Sequence, residues 1–221
     1  MGDQKSFDAY NDFLWEAKLD RMTKILSRYE LFRHVIELPG DIVECGVFKG
    51  HGLLFWARLL QIFTPLSQRR VIGFDTFGGV PDSVKGESDR SHGEAFKNYE
   101  DVPELVVAQA EELGLAHRIM VQKGDASQTV AAFVEQNPGF RVSLLNLDFD
   151  VYEPTKAALE VLIDRMVPGG IIMFDEYAVH QWGESNAADE ILEPRGLQLK
   201  AVPWSMSPTA YTIVKTRTGG N

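Results

Sequence analysis

Four carboxylates stand in two short segments that each follow an apolar run: Leu147-Asp148-Phe149-Asp150-Val151-Tyr152-Glu153-Pro154 and Phe174-Asp175-Glu176-Tyr177. Along a strand, residues two apart share a face, so Asp148 and Asp150 reach one pocket if the strand extends that far. Asp175 and Glu176 end the next strand, its neighbour in a parallel sheet. Carboxylates crowded at one sheet edge repel unless a cation neutralises them or a proton is retained. An all-oxygen donor set suits Mg²⁺, Mn²⁺ or Ca²⁺ rather than zinc, and His34, His51, His92, His117 and His180 offer no zinc spacing. The plainer alternative is a set of solvated loop acids. A cation at this edge would lower the pKa of a bound hydroxyl, and a nearby free carboxylate would take its proton.

A second group precedes it in the chain. Glu44-Cys45-Gly46-Val47-Phe48-Lys49-Gly50-His51-Gly52 lies between an apolar run and a helical stretch, where glycines let backbone pass close to a ligand and turn into the helix. Phe48 stands where a dinucleotide fingerprint has its second glycine and would obstruct a pyrophosphate. The Gly-Lys-Ser/Thr ending of a P-loop is missing too. Glu44 can hold a cationic group. Asp75, ending the next apolar run, can accept both hydroxyls of a ribose or can cap the following turn. Asp125 can sit beside an adenine amino group or serve as a helix N-cap to Ser127. Taken together, Glu44, Gly46, Asp75 and Asp125 describe a site for a base and a ribose without phosphate, which S-adenosyl-L-methionine matches. A sulfonium methyl beside a deprotonated hydroxyl needs in-line geometry above all else.

These residues need a scaffold that brings strand ends to one edge. Apolar positions spaced by three and four over residues 7–38 predict amphipathic helices ending at Pro39-Gly40. Short apolar runs follow at 41–47, 71–75, 119–125, 142–148 and 170–175, alternating with helical stretches at 52–63, 102–113, 127–136, 154–166 and 185–193. Residues 78–101 read as a mobile loop with a short helix. Segments 197–204 and 210–216 read as a terminal hairpin. Buried strands alternating with helices mean βαβ units and a mostly parallel sheet covered on both faces. Ligands of such sheets bind beyond the carboxyl ends of the strands.

The chain has 221 residues, with 32 acidic against 22 basic side chains and a net charge of −10. That length suits one domain, and no repeat or linker divides it. The charge argues against nucleic acid or an anionic membrane as the main partner. The single Cys45 fits a reducing compartment, no apolar run approaches the roughly 20 residues of a membrane helix, and the N-terminus has no signal-peptide pattern. A cytoplasmic protein is the expectation.

The ordered set Pro39-Gly-Asp-Ile-Val-Glu-Cys-Gly-Val-Phe-Lys-Gly50, Gly73-Phe-Asp-Thr-Phe77, Leu147-Asp-Phe-Asp-Val-Tyr-Glu-Pro-Thr155, Pro168-Gly-Gly170 and Asp175-Glu-Tyr177 resembles the macrocin O-methyltransferase family over about residues 28–216. The resemblance implies a Rossmann-like class I methyltransferase domain over 39–221, seven-stranded, behind an N-terminal helical cap over 1–38. It further implies S-adenosyl-L-methionine and Mg²⁺ (or Mn²⁺) as cofactors, and methylation of a sugar or glycoside hydroxyl in antibiotic and related pathways. Asp148, Asp175 and Glu176 match the metal ligands, with Asp148 also bordering the cofactor, and Asp150 matches the general base. Glu176 departs from the pattern, being one methylene longer than the family's usual Asp. Gly50 belongs to the cofactor loop by the same match. Trp182, in the stretch after the last acidic strand end, can stack on a sugar face or anchor the core, and His51 can approach the cofactor. His51 and His92 are alternative bases. The N-terminal cap implies a homodimer or higher homo-oligomer and a cover for the acceptor.

Two other functions compete. A metal-dependent methyltransferase of catechol-type phenols uses a similar carboxylate arrangement on the same sheet. A non-catalytic S-adenosyl-L-methionine-binding protein would not need Asp148, Asp150 and Asp175 together. For a dehydrogenase, Phe48 is an obstacle and a Tyr-x-x-x-Lys tract is missing.

Overall fold

The computed structural model describes residues 3–93 and 96–215. Two helices open the chain, α1 (Gln4–Glu16) and α2 (Leu19–His34). Asp3 starts α1 by accepting the Ser6 N–H at 2.7 Å, an N-cap satisfying a donor the helix leaves free. No residue of α1 is buried. By contrast α2 buries Leu31 and Phe32, and Val35 just after it, in the main core.

Then strands and helices alternate: β1 (Asp41–Cys45), α3 (His51–Phe63), β2 (Val71–Asp75), α4 (Glu87–Gly93), α5 (Val102–Glu112), β3 (Ile119–Lys123), α6 (Ala126–Gln136), β4 (Val142–Leu147), α7 (Tyr152–Leu162), β5 (Met166–Phe174), α8 (Glu184–Leu192), β6 (Lys200–Ala201) and β7 (Ala210–Ile213). The sheet runs β3-β2-β1-β4-β5-β7-β6. All pairs are parallel except β5–β7 and β6–β7. Strand order reverses between β1 and β4, so the crevice for a ligand opens above those two strands.

Pleating divides the core in two. Ile42, Leu144, Ile171 and Met173 pack with α2, α3 and α5, around the fully buried Trp56. Val43, Cys45, Leu145, Leu147, Ile172 and Phe174 pack with α6, α7 and α8 on the other face. Both faces are covered, as the unbroken apolar runs require.

The structure departs from the sequence expectation at β5. Residues 163–165 form a 3-10 turn after α7, and the strand begins at Met166, ahead of Pro168-Gly169-Gly170 rather than after it. Pairing with β4 shifts from Val142↔Met166 to Leu144↔Ile171, so the Pro-Gly-Gly tract is a bulge. Proline lacks a ladder donor and Gly169 has φ +83°, which places both at such an irregularity rather than at a helix stop. The terminal hairpin is shorter than 197–204 and 210–216, and Thr216 lies outside the described residues. Residues 78–101 hold one short helix, α4, with 94 and 95 outside the described residues. No helix among the described residues is long and apolar enough to cross a membrane.

Candidate active site

The sheet parity that aims Ile42, Leu144 and Met173 at α2 also aims the next polar residues there. Glu44 and Asn146 lie on β1 and β4 at paired positions, and Asn146 Nδ2 donates to Glu44 Oε1 at 3.3 Å. Asp148 and Asp175 continue the same parity one residue past their strands. Their N–H groups extend the ladder, Asp148 to the Cys45 carbonyl at 2.8 Å and Asp175 to that of Leu147 at 3.0 Å. Glu44 is buried, and burial pushes its pKa up to about 7. Gly52 makes room for it, since a Cβ there would come 1.9 Å from Glu44 Oε1. Gly46 (φ +92°) lets β1 turn against the Asp148 carbonyl, which a Cβ would approach to 1.9 Å.

Two cations from α2 meet these acids. Lys24 Nζ forms an ion pair with Asp175 and lies 3.5 Å from Asp148 Oδ2. Arg28 donates to Asp148 Oδ2 at 2.9 Å and stands 3.9 Å from both Asp175 Oδ1 and Glu44 Oε1. Burial alone would lower the Lys24 pKa, but Asp148 and Asp175 outweigh it and hold the ammonium above its ordinary value. Arg28 also packs its guanidinium over the Trp56 ring, 5.8 Å from the centroid. Neither residue figured among the sequence candidates. Their i, i+4 spacing puts them on one helix face, but nothing local in the sequence says which acids that face meets.

A cavity of about 350 Å³ opens at this edge, within the range of small-molecule sites. One end is lined by Glu44, Gly46, Val47, Asp75, Phe77, Gly124 and Ala126. Asp75 accepts three backbone N–H groups: Val47 at 2.7 Å and Phe48 at 2.9 Å on Oδ2, and Phe77 at 2.7 Å on Oδ1. It therefore moulds the glycine loop while leaving little acceptor capacity for a ribose. Asp125 caps α6 through the Ser127 N–H at 2.9 Å and accepts the Ser83 hydroxyl at 2.8 Å. Its neighbours line the cavity and it does not. Gly50 (φ +80°) does not line it either; its missing Cβ clears Val106, whose Cγ2 would be 2.0 Å away. His51, the first residue of α3, does. Its pKa is lowered, by desolvation against the cavity wall and then by Arg28 and Lys24, and because the residue is exposed the two cations are the firmer cause.

The other end is aromatic. His92 of α4 has its ring centroid 4.0 Å from that of Trp182 and 4.8 Å from that of Phe96. Phe48 packs on Phe96 and Tyr99 behind it. His92 Nε2 lies 2.7 Å from Asp150 Oδ2. The strand does not extend to Asp150: β4 ends at Leu147, and Asp150 (φ +65°) turns into the cavity by a left-handed backbone instead of by pleat parity. Glu184, fully buried at the start of α8, accepts the N–H groups of Asp150 (3.3 Å) and Glu176 (3.4 Å). Burial, and then Asp150, push its pKa well above the ordinary carboxylate value. Glu176 lines the cavity with its pKa raised to about 7 by burial and then by Asp175. Asp175 is fully buried behind Lys24 and does not line it.

The sequence profile of the macrocin O-methyltransferase family, TylF, matches residues 17–199. The chain belongs to the macrocin O-methyltransferase family. It is 32% identical over 167 residues to the 8-demethyl-8-(2,3-dimethoxy-alpha-L-rhamnosyl)-tetracenomycin-C 4'-O-methyltransferase of Streptomyces olivaceus, covering 70% of this chain and 61% of that protein. Mycinamicin III 3''-O-methyltransferase of Micromonospora griseorubida is 24% identical over 203 residues, 82% of this chain and 77% of its own. The chain thus spans about three fifths of the tetracenomycin relative. Among solved structures, CalS11, a calicheamicin methyltransferase, superposes with a TM-score of 0.83 at 30% identity, covering 96% of this chain and 86% of that one.

Membership in the macrocin O-methyltransferase family raises the question of a metal, and these side chains do not fit one as they stand. Among the described residues no three Asp, Glu, His or Cys side chains converge as a ligand set. The oxygens of Asp148 and Asp175 that would turn toward a cation already face Lys24 and Arg28. Glu176 lines the cavity together with Asp148, while Asp175 lies behind Lys24. The expected triad of Asp148, Asp175 and Glu176 therefore does not converge, two of its members being paired with cations of α2.

Proposed function

We propose that this protein transfers a methyl group from S-adenosyl-L-methionine to a hydroxyl of a sugar or glycoside. The observation that carries the reading is one cavity with two chemically different ends. The Glu44 end fits the cofactor: Glu44 Oε2 is buried without a hydrogen-bond partner, an acceptor suited to the amino group of an amino acid. Around it, the glycine loop that Asp75 shapes suits a nucleoside, with Phe48 in place of phosphate-binding glycine. When bound, the cofactor supplies an electrophilic methyl on sulfur. Everything else falls to the chain's own residues.

Asp150 is the proton acceptor of this reading. Its Oδ2 is held by His92 Nε2–H, and its Oδ1 is buried without a partner, so one oxygen is oriented and the other is open to the acceptor hydroxyl. Glu184, by accepting the Asp150 N–H, keeps the left-handed turn that aims it. Trp182, His92 and Phe96 offer faces on which the C–H side of a pyranose can stack, excluding water from the alkoxide. Magnesium assistance, which family membership suggests, enters no step here because the carboxylates are engaged by Lys24 and Arg28. The names of the relatives, each a methyltransferase of a natural product, support the sugar class. A homodimer or higher homo-oligomer and a cytoplasmic setting remain part of the reading.

Purified protein with S-adenosyl-L-methionine, assayed by mass spectrometry against rhamnosides, nucleotide-linked deoxysugars and catechols, tests it. Gain of one methyl by a sugar supports the assignment. Methylation of catechols alone would transfer the chain to the phenolic class.

A further inference from the structure

We infer that Lys24 and Arg28 occupy, as tethered cations, the place between Asp148 and Asp175 that a divalent cation would take, so that a metal ion and the seated α2 helix exclude one another. The inference deepens the proposed methyl transfer, because it concerns carboxylates of the same site.

Charge and position agree. One ammonium and one guanidinium bring two positive charges to Asp148 and Asp175, the charge a divalent ion would bring, with the buried Glu44 as a third carboxyl 3.9 Å from the guanidinium. Asp148 Oδ2 is shared, receiving Arg28 at 2.9 Å with Lys24 at 3.5 Å. Lys24 continues to Asp175 and Arg28 reaches that carboxylate's other oxygen at 3.9 Å. A hard cation needs such oxygens within about 2.0–2.6 Å, and the space between the two carboxylates that it would enter is taken by the ammonium. A metal entering beside two retained cations would meet like charge in a poorly solvated site.

The helix cannot retreat cheaply. Leu31, Phe32 and Val35 lock its C-terminal half into the core with Ile42 and Trp56. Arg28 is buried over Trp56. At the other end the Met206 N–H donates to Thr23 Oγ1 at 3.2 Å. The two cations are therefore present at high effective concentration whatever the medium holds. In the proposed reaction they would hold Asp148 and Asp175 in place, as positioning residues beside the cavity.

The test reads metal binding and needs no acceptor, so it stands apart from the methyl-transfer assay. EDTA-stripped full-length protein is titrated with Mn²⁺ alone, following free Mn²⁺ by electron paramagnetic resonance. Wild type is expected to show no stoichiometric binding. Lys24→Met should bind one Mn²⁺ per chain at least about tenfold more tightly, and adding Asp175→Asn should abolish that gain. Should Lys24→Met fail to fold by circular dichroism, Lys24→Gln takes its place. Equal Mn²⁺ affinity in wild type and the Lys24 variant, whether tight or undetectable, overturns the inference.

Discussion

Arg28→Met removes a guanidinium while keeping most of the apolar stem over Trp56, so its cost isolates the charge. In the native state that group donates to Asp148 Oδ2 at 2.9 Å and stands 3.9 Å from Glu44. Its side chain is 3% exposed and that of Asp148 16%. Deleting one partner of a buried pair costs about 3–5 kcal/mol, because the remaining charge is left uncompensated. At about 2–4 °C per kcal/mol for a chain of this size, the melting temperature should fall by about 6–20 °C. The loss should also depend on pH. Glu44 is already raised to about 7 by burial, and Arg28 opposes that rise. A carboxyl whose folded pKa lies above its unfolded one binds a proton on folding, so stability falls as pH rises from the unfolded value near 4.5 through the folded one. Without Arg28 the folded value climbs and that falling window extends above 7. Calorimetric melts at about pH 5.5 and about pH 8 should therefore show a larger difference between wild type and variant at the higher pH. A decrease under about 2 °C at pH 8, or a penalty larger at acid pH, would refute the buried counter-charge reasoning.

Gly46→Ala should cost folding stability of several kcal/mol, since a Cβ would sit 1.9 Å from the Asp148 carbonyl at a φ of +92°; a melting temperature within about 2 °C of wild type would contradict that close approach. Asp75→Ala leaves the Val47, Phe48 and Phe77 N–H groups without their acceptor, so titration calorimetry with S-adenosyl-homocysteine should show affinity reduced about tenfold or more. Unchanged affinity would show that the glycine loop holds its shape alone. Asp150→Asn should lower kcat by about 10²–10⁴ with cofactor affinity retained, whereas His92→Gln should lower it less and shift the pH profile; equal losses with unshifted profiles would mean that His92 serves only packing.

Much of this architecture is legible in the sequence because it follows local rules. Unbroken apolar runs and glycine-bounded helices gave β1 to β4 within a residue or two. The parity of Glu44, Asn146, Asp148 and Asp175 is a count of two along strands. What local rules miss is what faces those residues. Lys24 and Arg28 read as the polar stripe of an amphipathic helix, and only the packing of Leu31, Phe32 and Val35 turns that stripe inward. Asp150 was expected to share a pocket through strand pleating, and reaches the cavity by a left-handed turn that Glu184 supports from α8. Similarly, the Pro168-Gly169-Gly170 tract signals an interruption without saying whether it ends a helix or bulges a strand. Asp125, for which a cap and an adenine contact were both open, is engaged as the cap.

The bond from Arg28 to Asp148 joins residues 120 positions apart, and Lys24 reaches further still, to Asp175. During synthesis the basic stripe of α2 emerges long before either acid. Only Glu44 of β1 follows it early; Asp148 and Asp175 arrive when β4 has paired beside β1 and β5 beside β4. Closing so long a loop is slow, because its entropy is lost before the contact forms. The same ion cluster that orders the crevice thus acts as a completion signal: a chain stopped short of β5 lacks Asp175 and leaves the Lys24 ammonium with Asp148 alone, a carboxylate it must share with Arg28.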